Sequence, residues 1–350
     1  MRRKAYITLI AVLTLICCYG GWKIFGPSTN FSGHGKYLYI HSGQNTPEEV
    51  ARNLSDSNYF SATDWFLKIY NLLRLPKKIY PGRYEIKKHT SIWSLLIRIR
   101  NNNQSPVKLT ITKARTKEQL ANFLGNRFES DSIDFIQFMN DSQQLASFGL
   151  DTTTIMTAVL PNTYELLWTS SPEEVFNKLW KENRNFWTED RIHKAKSLGL
   201  DPIKVYVLAS IIEEETTMDD DKDTIASIYL NRLNKGMRLQ ADPTVKFALR
   251  DFGLKRIYEK HLEINSPYNT YRYEGLPPGP ICTPSYVTLE AVLNAPPTRY
   301  LYFVAKSDFS GKHLFSETYE EHLNRAKAFQ KAQDVQQKIR QSKQENPTRS

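Results

Sequence analysis

The sequence predicts an α+β chain: an N-terminal apolar helix, then a small α+β module, then a larger mixed α/β domain closed by a hairpin and a long helix. Three observations predict it. Residues 5 to 22 carry no charge and follow Arg2, Arg3 and Lys4. Between 37 and 105, strand-like and helix-like pieces alternate. From 201 onward, a helix apolar on every side, VYVLASII, is followed by proline- and tyrosine-rich loops, a hairpin pattern and a charged terminal helix.

Arg2, Arg3 and Lys4 with the uncharged run make a membrane anchor. At about 1.5 Å per residue the run nearly crosses a hydrocarbon core of about 30 Å. Basic residues stay on the cytoplasmic side, which places residues 26 to 350 outside the cytoplasm. A cleaved signal peptide would need a small-x-small site that the run does not clearly show. A lipoprotein signal using Cys17 or Cys18 would need a small residue where Ile16 or Cys17 stands.

A linker, GPSTNFSGHG, occupies 26 to 36 with its flank. The module at 37 to 105 opens with the strand YLYIHSG. Thr46, Pro47 and Glu49 then form a capping box that starts a helix. ATDWFLKIYNLLRL reads as an amphipathic helix with Trp65, Ile69 and Leu72 or Leu73 on one face. PGRYEIKK supplies a turn and strand, and TSIWSLLIRIRNNN another helix. Residues 106 to 200 form a connecting helical region after the strand VKLTIT, with helices near 116 to 128, 131 to 139 and 171 to 187. The main domain, 201 to 330, has helices at 202 to 215 and 221 to 235, one from Pro243, a loop from 263 to 286, a helix at 285 to 294 and a hairpin in YLYFVAKSDFSGKHLFS. A terminal helix over 317 to 343 runs into a basic tail, 331 to 350.

With 350 residues, 40% hydrophobic and 24% charged, the chain has ample material for a core. The formal charge of +10 would suit an anionic partner. The basic residues are scattered, however, and thickest after His322, at Arg325, Lys327, Lys331, Lys338, Arg340 and Lys343. No nucleic-acid motif accompanies them, so the tail reads as a solvated basic helix able to lie near acidic lipid or polymer. The third cysteine, Cys282, has no partner outside the apolar run, so no disulfide can brace the ectodomain. Neither CxxC nor HExxH spacing occurs, which leaves a metal site without sequence support.

The candidate chemistry lies at the end of the apolar helix, in Glu213, Glu214 and Glu215. Successive helical residues point about 100° apart, so the three cannot share one environment. Glu213 stacks above Ala209 and Tyr206, Glu215 above Ile211 and Leu208. The small Ala209 leaves room for a ligand beside Glu213. A carboxyl at the edge of an apolar wall loses solvation, which raises its pKa toward a value useful for a general acid. A solvated cap before DDDKD is the alternative, and periodicity does not choose among the three.

LASIIEEET (208 to 216), IASIYLNRLNKGMRLQADPTVKFAL (225 to 249), SPYNTYRYEGLPPGPICTPS (266 to 285) and YLYFVAKSDFSGKHLFSETYEEH (300 to 322) resemble the endolytic murein transglycosylases of the MltG/YceG-like type. The resemblance extends to the anchor and, in pattern, to 37 to 105, which is similar to that family's LysM-like subdomain. It implies that Glu213 is the catalytic acid and that Glu215 supports it. Gln240 and Asp242, with Asn269, Thr270 and Tyr271, are implied as groove walls, a role that suits side chains able to meet sugar hydroxyls and ring faces. Three places depart from the family pattern: ITKART at 111 to 116, Asn162 in PNTY, and Leu323 after His322.

The implied reaction is lytic: the bond between N-acetylmuramic acid and N-acetylglucosamine is cut inside the strand without water, and a 1,6-anhydromuramoyl end remains. No metal or cofactor is implied. The implied partners are peptidoglycan glycan strands, the membrane through the N-terminal helix, and penicillin-binding proteins whose elongating strands the enzyme would terminate. A non-catalytic peptidoglycan-binding scaffold is the competing class, and an ordinary glycoside hydrolase, needing a second carboxylate, a third.

Overall fold

A computed structural model describes residues 2–33, 35–61 and 63–345. His34, in the expected linker, Ala62, in an expected helix, and the last five residues of the basic tail lie outside the described residues, as do the side chains of Arg340 and Lys343. The chain divides into two compact units. The first holds residues up to Leu109 together with Leu124–Asp131 and Tyr164–Val175, and the second holds the remainder.

In the first unit, helix α1 (Arg2–Phe25) is apolar, long enough to cross a membrane, and its side chains are exposed along most of its length. Strand β1 (Lys36–Ile40) is followed by α2 (Pro47–Asp56), α3 (Thr63–Leu72), β2 (Gly82–Ile86) and α4 (Ile92–Arg100). β1 and β2 pair antiparallel, from Lys36 opposite Ile86 to Ile40 opposite Gly82. Their alternation turns Leu38, Ile40, Tyr84 and Ile86 inward onto Val50, Leu54, Phe66, Ile69, Leu95 and Ile99 of the helices. The capping box at α2 is present: Thr46 Oγ1 accepts from Glu49 N–H, and Thr46 N–H donates to Glu49 Oε2 at 2.9 Å. The inward face of α3 is Phe66, Ile69 and Tyr70, while Leu72 is 81% exposed. That is one step round the helix from the expected face: Ile69 is common to both, and Trp65 is half-buried at the edge of the same core.

Strand β3 (Val107–Ile111) leads to α5 (Lys117–Gly125), α6 (Ser132–Asn140), α7 (Ser142–Ala146), a 3-10 turn (Ile155–Ala158) and β4 (Asn162–Leu166). β3 and β4 form a two-stranded sheet. Helices α8 (Pro172–Phe186) and α9 (Glu189–Ser197) follow, then α10 (Pro202–Glu215), α11 (Asp219–Asn234), α12 (Asp242–Leu249), α13 (Glu259–Leu262) and α14 (Tyr286–Leu293). The hairpin β5 (Tyr302–Ala305) and β6 (His313–Ser316) and the long α15 (Tyr319–Glu345) complete the chain.

Helix α10 is the spine of the second unit. Asp201 caps it, its carboxylate accepting from Lys204 N–H, and Pro202 fits the first turn, where no N–H partner is needed. From Val205 to Ile212 every residue is buried, against Ile225, Ala226 and Tyr229 of α11 and Leu289 and Val292 of α14. Burying such a side chain is worth about 1.5 to 3 kcal/mol. A helix enclosed on all sides cannot slide or turn, so its last residues are held in fixed directions.

Candidate active site

The last turn of α10 sends its three carboxylates to three different places. Glu214 turns to the segment after β3, where Lys113 Nζ lies 2.7 Å from Oε1 and Arg115 donates to both oxygens, Nε at 3.1 Å and Nη2 at 3.0 Å. Lys113 and Arg115 belong to ITKART, one of the stretches that depart from the family pattern. The pair closes an ion cluster whose partners are half-buried, geometry in which a bidentate arginine is at its strongest.

Glu213 turns to α14. Its Oε2 accepts from Ser285 Oγ at 2.9 Å, from Ser285 N–H at 3.3 Å and from the Thr288 hydroxyl, and Lys222 Nζ lies 3.5 Å away. Ser285 is also the N-cap of α14, so Glu213 fastens one helix end to another. Burial alone would raise its pKa. The Thr288 hydroxyl, the Lys222 ammonium and the Ser285 donors outweigh burial and hold the carboxyl below the usual range. Glu213 is therefore an anion held through Oε2 and lies outside the cleft described below. That geometry lends no support to the expectation that it is the acid. Ala209 is fully buried, so the space expected beside Glu213 is filled by protein.

The lowered pKa makes Glu213 a stabilising charge above its unfolded value of 4.5, and that contribution is lost as pH falls below 4.5. Glu213→Gln should cost about 1 to 2 kcal/mol at pH 7, with the gap to wild type closing in acid. Urea midpoints at pH 7 and pH 3 measure it, and a gap independent of pH would count against the charge.

Glu215 turns to a cavity of about 330 Å³. Tyr229 Oη donates to its Oε1 at 2.8 Å. Burial pushes the carboxyl up to about 7 against that hydrogen bond, which favours the charged form; the charge of Asp242 pushes the same way, while Lys246 and Arg232 oppose it. A carboxyl half protonated near neutrality can both give and take a proton there.

The walls come from three directions. The segment before α12 contributes Gln240, whose backbone is left-handed (φ 53°), a strain of about 1 to 2 kcal/mol for a residue with a side chain. Asp242, exposed at the first turn of α12, receives the Tyr271 hydroxyl at 2.6 Å. The hairpin and the start of α15 contribute Tyr302, Phe303, Tyr319 and His322, with the His322 and Tyr302 rings stacked 5.3 Å apart. Arg232 of α11 joins the walls: its Nε donates to Leu301 O and its Nη1 to Leu239 O, both at 2.7 Å. Asn231 Nδ2 donates to Thr298 O and Tyr300 O, and Asp221 accepts from His313 N–H at 2.8 Å, so α11 carries the hairpin.

Of the expected groove residues, Gln240, Asp242 and Tyr271 line the cavity with Glu215. Asn269 and Thr270 do not. Asn269 is fully buried, and its Nδ2 donates to Leu262 O and Ile264 O, closing its own loop. Thr270 Oγ1 accepts from Ala241 N–H at 3.0 Å, which ties that loop to the start of α12. Both hold the walls from behind. Arg232, Tyr229, Tyr302 and His322 were not singled out by sequence; their only local signal is a run of aromatic residues and an arginine within otherwise ordinary helix and hairpin patterns. Burial, then the nearby Arg232 charge, keeps the His322 imidazole below its usual value.

A larger cavity of about 590 Å³ opens at the other end of α10, between Leu198, Ile203, Leu276 and Pro278. Its only carboxylate is Asp201, already committed to capping α10. Among the described residues, no group of histidine, cysteine or acidic side chains could hold a metal ion.

A profile of the YceG-like family matches residues 38–328. Over 158 residues the chain is 42% identical to an endolytic murein transglycosylase of Bacillus subtilis, which is 45% of this chain and 42% of that protein. Over 131 residues it is 34% identical to an endolytic murein transglycosylase of Streptococcus pneumoniae, 36% of this chain and 24% of the other. The matches span under half the length of these curated relatives. The fold is similar to the crystal structure of a YceG-like protein from Listeria monocytogenes, with a TM-score of 0.54 and 29% identity over 84% of this chain and 99% of the other.

Proposed function

Since the chain belongs to the YceG-like family, we propose that it is a membrane-anchored lytic transglycosylase of peptidoglycan. It cuts inside glycan strands, at the β-1,4 bond between N-acetylmuramic acid and N-acetylglucosamine, and leaves 1,6-anhydromuramoyl ends. The observation that carries this reading is Glu215: a carboxyl pushed up to about 7 by burial, in a cavity walled by tyrosines, polar side chains and a second acid, Asp242. The names of the relatives support it.

Glu215 is the acid and then the base. Protonated, it gives its proton to the leaving glycosidic oxygen as the bond to C1 of the muramoyl ring breaks. The C6 hydroxyl of the same ring then attacks C1, and its proton passes to the Glu215 carboxylate, which restores the starting state without consuming water. An attacker in the same ring is held at high effective concentration, so no second carboxylate is needed to activate water. Tyr229 orients the carboxyl, and Tyr302 and His322 offer flat faces to the sugar rings.

α1 would hold the enzyme in the membrane with Arg3 and Lys4 on the cytoplasmic side. The module between 37 and 105, LysM-like in its pattern, would grip the strand. Working beside penicillin-binding proteins, the enzyme would end the strands they elongate. Digestion of purified sacculi, followed by mass measurement of the new ends, tests the reading. Ends lighter by one water than a reducing sugar are expected; reducing ends would mean a hydrolase, and no new ends a binding scaffold.

A further inference from the structure

Glu215 does not face its cavity alone. Asp242 lines the same space, exposed where Glu215 is partly enclosed. The simple account of an aspartate in the first turn of a helix is that it suits the positive end of the helix dipole. That account leaves Tyr271 unexplained. Its hydroxyl donates to Asp242 Oδ1 at 2.6 Å, and its own N–H donates to Asn269 Oδ1 at 3.0 Å. The backbone on either side is pinned as well: Gln240 N–H donates to Thr270 O at 3.1 Å, and Ala241 N–H to Thr270 Oγ1. An exposed acid seldom has two segments built to hold it still.

Resting on the assignment of Glu215 as the acid, we propose that Asp242, fixed by Tyr271, is the counter-charge for the cationic sugar carbon that forms as Glu215 gives up its proton. No bond forms to Asp242. The C1–oxygen bond breaks with its electron pair going to the leaving oxygen, the pair that replaces it comes from the C6 oxygen, and Asp242 acts only through its field. An acid and a fixed anion in one cleft divide the work in a pattern known from other sugar-cleaving sites.

The same charge acts on Glu215 at rest. The charged and titratable groups facing that carboxyl are Tyr229 and Arg232 from α11, and Asp242 and Lys246 from α12, with Tyr271, Tyr302, Tyr319 and His322 around the cavity. Asp242 is the carboxylate among them, and it favours the protonated form, which Lys246 and Arg232 oppose. Activity requires protonated Glu215 in the free enzyme, so it falls as pH rises through about 7. Removing the Asp242 charge moves that fall to lower pH.

The experiment uses the full chain in detergent micelles with purified glycan strands, and follows initial rates of anhydro-end formation against pH. Asp242→Asn is expected to lower kcat about 100-fold with little change in KM, and to shift the high-pH limb down by about half a unit or more. Tyr271→Phe, which keeps the charge but frees it, should lose about ten-fold with a smaller shift. A loss confined to KM, or an unmoved limb, makes Asp242 a groove wall and overturns the proposal. Glu215→Gln run in parallel separates the two ideas. If that variant is silent while Asp242→Asn runs at the wild-type rate, only the counter-charge fails; if Glu215→Gln keeps its rate, the acid assignment fails and the counter-charge with it.

Discussion

Glu215→Gln is expected to lower the rate of anhydro-end formation about 1,000-fold while leaving the protein folded. The amide keeps the shape of the side chain and can still accept from the Tyr229 hydroxyl that holds Glu215 Oε1, but it cannot give a proton to the leaving oxygen. The same variant should melt at or above the wild-type temperature at pH 8. In the fold the Glu215 carboxyl is raised to about 7 from an ordinary 4.5. Keeping it charged therefore costs stability that begins as pH rises past 4.5 and is complete above 7. Glutamine is never charged and escapes that cost. A variant that stays active, or one that is inactive because it has unfolded, would defeat the assignment. Chromatography of muropeptides and a melting curve on one preparation decide between these outcomes.

Arg232→Met is expected to destabilise the protein by about 4 kcal/mol. Arg232 is 7% exposed, and its guanidinium hydrogens go to Leu301 O, Leu239 O and, at 3.3 Å, Arg238 O, with the Tyr302 ring 5.3 Å away. Methionine fills the channel and leaves those carbonyls without their donors. Arg232→Lys should recover under half of the loss, because a single ammonium cannot reproduce a planar fork aimed at separate carbonyls. Urea midpoints at pH 7 measure both variants, and a loss below about 1 kcal/mol for methionine would show that water replaces the arginine. Activity should fall along with stability, since the freed segments carry Leu239, Gln240 and Tyr302 of the cavity wall.

Much of the fold could be read locally. The capping box at Thr46 and Glu49, the buried helix ending at Glu215 and the terminal hairpin each follow from patterns within a few residues. α9 did not, because EDRIHKAKS offers only Ile192 and Ala195 to a core and buries just Ala195. β4 was hidden because it is short and largely exposed. The glutamates mark a different limit. Helical geometry separated them, but their partners were out of its reach: Ser285 is 72 residues from Glu213, and Arg115 is 99 from Glu214. The small Ala209 beneath Glu213 suggested room for a ligand, but Ala209 is fully buried and Glu213 bonds to the start of α14. Asn269 shows the same limit from the other side. An amide in a proline-rich loop resembles a sugar contact, yet both its donors close its own loop.

Helices usually open first at their ends, where the last carbonyls lack partners and thermal motion unwinds a turn at a time. α10 ends in the opposite condition. Its final three side chains are moored to the segment after β3, to α14 and to α11, so unwinding that turn would mean breaking all three moorings at once. The amide hydrogens of this turn should thus exchange with solvent only when the whole unit opens, and the proton-carrying carboxyl would sit on one of the slowest-breathing points of the chain.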